Sequence, residues 1–249
     1  MSAPLDWMLA VFEPLDLTAL ALFLASLFAT TRMVEKCPET WPSTSVLMAR
    51  HRAAWMAQLP RRDLKMYDAV LMTSLRNGAA FFASGAMLAI GGLIALLGQS
   101  ERLVTLAVEL SMADGVNKAA WDAKLIVILL FTVQAFLSFV WAHRIFGYCV
   151  VMMGTVPDRS SLPEDGPGPE VTAAVDRAGQ MLVRAGRSFN RGLRMIYFTL
   201  AALAWFLGAW ALIIATVIIV LSIMRMEFFS ETRAVLLEKA EPESAALET

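Results

Sequence analysis

The run AAFFASGAMLAIGGLIALLG, residues 79–98, is the most informative segment of the chain. Its twenty residues include no ionisable side chain. As a helix rising ~1.5 Å per residue they reach ~30 Å, the thickness of a bilayer's hydrocarbon core. Three further runs have the same character. Residues 15–31 read LDLTALALFLASLFATT, with Asp16 at the edge. Residues 125–153 run from Leu125 to Ala142 and continue past His143 and Arg144 to Met153. Residues 196–224 are longer than one crossing needs, which predicts a helix that tilts or extends beyond the bilayer. These runs explain why the 249 residues are 58% hydrophobic and only 17% charged, against about 45–50% and 25% in soluble domains. The expectation is an all-α membrane protein with four transmembrane helices, about 15–31, 79–98, 125–153 and 196–224. They form a single transmembrane domain over 1–230, with helical cytoplasmic extensions over 32–78 and 155–195 and an acidic tail over 231–249. A soluble enzyme is excluded, and a net charge of −1 argues against a broadly basic nucleic-acid binder.

The cations are unevenly distributed. Residues 32–78 hold eight Lys and Arg, and residues 143–195 hold seven, so fifteen of the 21 lie in two segments that four crossings put on one side. Because Lys and Arg near span ends favour the cytoplasmic face, both termini are expected to be periplasmic and both large loops cytoplasmic, in an inner membrane. Residues 1–31 carry no Lys or Arg, while Asp6, Glu13 and Asp16 precede the first apolar run. This is the reverse of a cleaved leader's charge pattern, so the first run reads as a retained helix.

Outside the spans, Ser43, Thr44 or Ser45 can cap a helix through Leu47, Trp55 and Leu59 that Pro60 stops. Leu64, Tyr67, Leu71 and Leu75 then repeat at helical spacing into the second span. Ser100 can cap an amphipathic helix through Leu103, Leu106 and Leu110, with Asp114-Gly115 as a turn and Asn117 opening the next helix. Residues 155–169 contain four prolines and read as a loop. Beyond them Arg177, Arg184, Arg187, Arg191 and Arg194 fall 7, 3, 4 and 3 apart, on one helical stripe. Guanidinium groups suit phosphates and carboxylates. Arg177 and Arg184 are therefore candidates for contact with anionic lipid or a partner protein, beside the simpler reading of a solvated face. On the fourth run Ala201, Ala204, Gly208, Ala211 and Ala215 make a stripe of small residues of the kind that lets membrane helices pack closely. Gly85, Ala89 and Gly92 make a shorter one on the second. Gln134 is expected to bond a neighbouring helix.

Candidates for chemistry are few. His51 and His143 do not face each other within the spans, so a haem pair is not expected. Cys37 and Cys149 have no metal-ligand or nucleophile spacing, and there is no GxSxG, Walker A or HExxH pattern. No catalytic residue, metal or cofactor is assigned.

Two runs resemble a known family. Arg52, Trp55, Arg62-Asp63, Asp68, Leu71, Leu75, Asn77 and FFASG at residues 81–85 are similar to the central signature of the "domain of unknown function 599" family. So is SFNRGLRMIYF at 188–198, followed by Trp205 and Gly208. The resemblance covers roughly 16–228, and it departs at Gly85, where the family favours Thr. It implies a multi-span membrane protein of bacteria and plants without an established activity, and it brings no catalytic residue. The two runs lie at cytoplasmic span ends. Arg52, Arg62, Asp63 and Asp68 are therefore expected to meet Arg187, Asn190, Arg191 and Arg194 in a polar cluster. The function expected is that of an accessory, scaffold or assembly subunit, packing against itself or another membrane protein in a membrane whose lipids include anionic ones. The alternative is a small channel or transporter for an uncharged or anionic solute.

Overall fold

The computed structural model describes residues 11–109, 117–163 and 166–237. Among these the regular structure is helical throughout. α1 is Pro14–Glu35, α2 Thr44–Ala57, α3 Met66–Gly98, α4 Ser100–Glu109, α5 Lys118–Gly154, α6 Pro169–Leu203, α7 Ala209–Phe228 and α8 Glu231–Leu237. α1, α3, α5 and the segment Ala209–Leu237 are each long and apolar enough to cross a membrane. The expected turn at Asp114-Gly115 and the tail from 238 onward lie outside the described residues.

Local signals place the helix ends. Ser43 caps α2 by accepting from Val46 N, and Asn117 caps α5 by accepting from Ala119 N. Pro60 ends α2 in a single 3-10 turn, Leu59–Arg61, because its ring cannot continue the ladder.

α3, α5 and α6 hold 33, 37 and 35 residues and so extend about 50 Å or more, well beyond a bilayer core. Their registers fit one antiparallel stack. Ser188 Oγ donates to Ser138 O at 2.8 Å, Cys149 Sγ bonds Ala178 O, and Lys124 meets Trp205 at the far end. Phe82 stacks on Phe139, while Arg76 O meets His143 Nδ1. The ends that project past the apolar runs pack with α2 around Met56, Met72, Phe146 and Leu182. At bilayer depth a second core gathers Phe23, Ile128, Phe198 and Leu212. Phe23 meets Phe131 and Phe198 edge-on at 5.2 and 5.5 Å. Gly192 admits the Phe139 ring, since an added Cβ would come within 2.6 Å of a ring carbon.

The fourth run differs from expectation. Residues 196–224 are not one helix. α6 ends at Leu203, a 3-10 turn spans Ala204–Leu207, and Gly208 takes φ 112°, ψ 170° before α7 begins. That backbone region is open essentially to glycine alone. The chain reverses there. Trp205 lies beside Asp16 at the start of α1, whereas Glu227, at the end of α7, lies beside Ser45, just past the end of α1. Hydropathy misses this turn because apolar residues continue through it. The small-residue stripe is divided accordingly: Ala201 is on α6, Ala204 and Gly208 are in the turn, and Ala211 and Ala215 are on α7. The described ends of the chain therefore lie at opposite ends of the bundle, not at the same end as a single fourth crossing requires.

Candidate functional site

α1 carries a carboxylate at each end: Asp16 fastens the 3-10 turn that follows α6, and Glu35 fastens α6 itself. At the first end Trp205 Nε1 donates to Asp16 Oδ1 at 2.6 Å. Lys124 Nζ donates to Trp205 O at 3.1 Å and lies 3.9 Å from Asp16. Phe12 stacks on the indole at 5.4 Å.

At the other end Arg191 and Arg194 both bond Glu35, Arg191 at 3.0 Å. Arg194 is buried and Arg191 about half exposed. Beside this pair a second carboxylate organises the start of α2: Glu227 accepts from Ser45 N at 2.9 Å and from Ser45 Oγ at 2.6 Å. Ser45 Oγ in turn accepts from Asn190 Nδ2 at 3.1 Å. Ser43 Oγ donates to Val34 O, which ties α2 to α1. Between α2, α6 and α7 these groups border a cleft of about 270 Å³, whose walls include Arg52, Tyr197, Arg194 and Glu227. Arg52 is partly buried, which lowers its pKa by desolvation, and no carboxylate pairs with it among the described residues. Its guanidinium lies over Gly186, where an added Cβ would collide with it at 2.5 Å.

The expected polar cluster is thus two clusters. Asp68 is fully buried, bonded by Arg62 and by Trp55 Nε1 at 2.6 Å, and it holds the corner between α2 and α3. Lys65 joins that corner to the loop after α5, bonding the carbonyls of Val156 and Pro157 and pairing with Asp158 at 3.1 Å. Arg191, Arg194 and Asn190 belong instead to the Glu35–Glu227 site. Asp63 is exposed and pairs with neither group. Arg187 lines a small recess beside Glu35 and Asn190. Arg177 and Arg184 are exposed on the outer side of α6, with no carboxylate partner among the described residues. The carboxylates that the arginine stripe uses were not among the sequence candidates. Glu35 had one legible signal, its place between Arg32 and Lys36 at a span end; Glu227, in a segment with several further glutamates, had none.

Gln134 also differs from expectation. It sits at the middle of the α5 apolar run but on the outward face with Leu130, Leu137 and Trp141, and no described side chain bonds it. Gly85 and Gly92 likewise face open space.

The profile of a family described as "Protein of unknown function, DUF599" matches residues 18–232. The chain belongs to the DUF599 family. No curated protein and no solved structure is similar to it. The DUF599 match takes in the Glu35 site, the Asp68 corner and the Gly208 turn, and it begins two residues after Asp16. The two sequence runs that carry the resemblance fall on these same places. Trp55, Arg62 and Asp68 make the corner, residues 188–198 supply Asn190, Arg191 and Arg194, and Trp205 and Gly208 form the reversal.

Proposed function

We propose that this DUF599 protein is a non-enzymatic scaffold or accessory subunit of the inner membrane that binds another membrane helix, its own or a partner's, on the outer face of α5. Gln134 carries this reading. A carboxamide facing hydrocarbon without a partner is costly, and interhelical hydrogen bonds between such groups drive association in bilayers. The open small-residue face of α3, Gly85, Ala89 and Gly92, offers a second surface for close helix approach. The long helices then hold the exposed Arg177, Arg184 and Arg187 face at a fixed place beneath the bilayer. A photo-cross-linking residue at position 134, compared with one at Leu221 on the lipid-facing side of α7, tests the proposal in native membranes. A discrete protein adduct at 134 alone is expected; lipid adducts at both positions overturn it.

The reversal at Gly208 supports five crossings, with the start of the chain outside and the end of α7 inside. Eighteen of the 21 Lys and Arg then fall on the cytoplasmic side or at its span ends, a sharper bias than fifteen. A fluorescent-protein fusion after Leu237 should fluoresce, and a cysteine at Leu207 should label from outside. An active periplasmic phosphatase fused after Leu237 would place that end outside instead.

The unpaired Arg52 in the cleft favours one second reading, an anion vestibule of a channel. Phe23, Phe131, Phe139 and Phe198 fill the bundle's middle, so such a path would run between chains rather than through one. Anion flux in liposomes that Arg52→Gln abolishes would support it.

A further inference from the structure

The ends of α1 and α7 lie side by side and leave between them an open groove of about 710 Å³. Sites that hold small amphipathic molecules run about 300–1,000 Å³. One stretch of the groove is apolar, walled by Phe28, Met33, Met224 and Phe228. The other stretch carries Arg32, in the last turn of α1, and Lys36, just past its end, and is closed by Trp41 against Phe229. Phe28 and Phe229 are each 70% exposed, so the protein's own chain covers little of the wall.

Arg32 and Lys36 are exposed cations with no carboxylate partner among the described residues. The nearest acid in sequence does not neutralise them, because Glu35 points to α6 and is occupied by Arg191 and Arg194. A third cation, Arg233, stacks over Trp41 at 5.7 Å. Arg32 follows directly on the apolar run of α1, which ends at Thr31, and Lys36 lies four residues further on. The groove therefore crosses from hydrocarbon depth to the level of lipid headgroups, where tryptophan is also favoured.

We propose that this groove is a binding site for one anionic phospholipid, its phosphate between Arg32 and Lys36 and an acyl chain along Phe28, Met33 and Met224. Basic pockets between transmembrane helices take anionic headgroups by the same chemistry. A second copy of the chain fits the groove poorly, since a two-fold contact would bring the same cations face to face. A free phosphate would leave the apolar wall uncovered.

The full chain, delipidated in neutral detergent, is titrated with phosphatidylglycerol, with phosphatidylcholine of the same acyl chains and with inorganic phosphate, and bound molecules are counted by native mass spectrometry. One phosphatidylglycerol is expected to be retained in preference to phosphatidylcholine, and inorganic phosphate is expected not to displace it. Each cation removed should weaken an anionic lipid about fivefold, so Arg32→Gln with Lys36→Gln should weaken it roughly 25-fold. Arg50→Gln with Arg61→Gln, equal in charge but outside the groove, should change nothing. Ala29→Trp fills the wall without altering charge and should also expel the lipid. If that variant does not yield a folded protein, the two charge pairs still decide the matter. Equal retention of the two lipids, displacement by phosphate, or equal losses from the two charge pairs would overturn the proposal. So would a protein adduct from a photo-cross-linker at Met33 in native membranes, which would make the occupant a partner helix.

Discussion

The two ends of α1 solve one problem with different chemistry. Both work through a carboxylate, but the Asp16 end holds the turn that follows α6 with an indole N–H and a lysine, whereas the Glu35 end holds α6 itself through two arginines on unbroken helix. The Glu35 end has the more deeply buried charge, with the Arg194 side chain 5% exposed. Its value therefore depends on the charge staying paired. At the Asp16 end the bonds hold the reversal that the Gly208 backbone makes.

Breaking the comparison at its strongest point should give the largest effect. Glu35→Ala removes the carboxylate bonded to buried Arg194 and leaves it only the more distant charge of Glu227; loss of one partner in such a pair costs up to about 3–5 kcal/mol. Thermal unfolding in detergent should show a large fall or no folded protein. Trp205→Phe removes a hydrogen bond to a charged acceptor and should cost about 1.5–3 kcal/mol by the same measurement. Gly208→Ala forces a Cβ into a glycine-only backbone region, at about 1–3 kcal/mol. It should also loosen the hairpin, seen as increased labelling of a cysteine at Leu207. Arg191→Ala should cost under about 1 kcal/mol, because a half-exposed ion pair contributes little. An Arg191 effect equal to that of Glu35 would mean that burial does not distinguish the two arginines. Asp63→Ala should stay within about 0.5 kcal/mol, as an exposed residue without a partner.

The membrane class, the segments on the Glu35 side and the caps at Ser43 and Asn117 were legible in the sequence because they are local. A charge-free run, a hydroxyl before a helix or a proline after one acts over a few residues. The reversal at Gly208 was not legible, since leucine, alanine and tryptophan flank it on both sides and hydropathy is blind to direction. Gly208 itself invited reading as a packing residue, when its backbone conformation is what matters. The polar sites were half legible. Asp68 lies 6 residues from Arg62, and their pairing follows from proximity. Glu35 lies 159 residues from Arg194, and only the packing of α1 on α6 joins them. Charge counting correctly marked arginines as important but could not choose their acids.

The hairpin at residues 204–208 has a consequence for how the protein enters a bilayer. Residues 195–207 are only thirteen, and Arg191 and Arg194 stand immediately before them. A segment that short, next to two cations, falls below the ~20 apolar residues that partition into lipid unaided. The twenty residues of α7 do meet that requirement. On the proposed five-crossing topology, passage of the turn across the membrane is therefore a joint event, in which the last helix drags its weaker neighbour in, and truncation before Ala209 should strand α6 on the side where it was made.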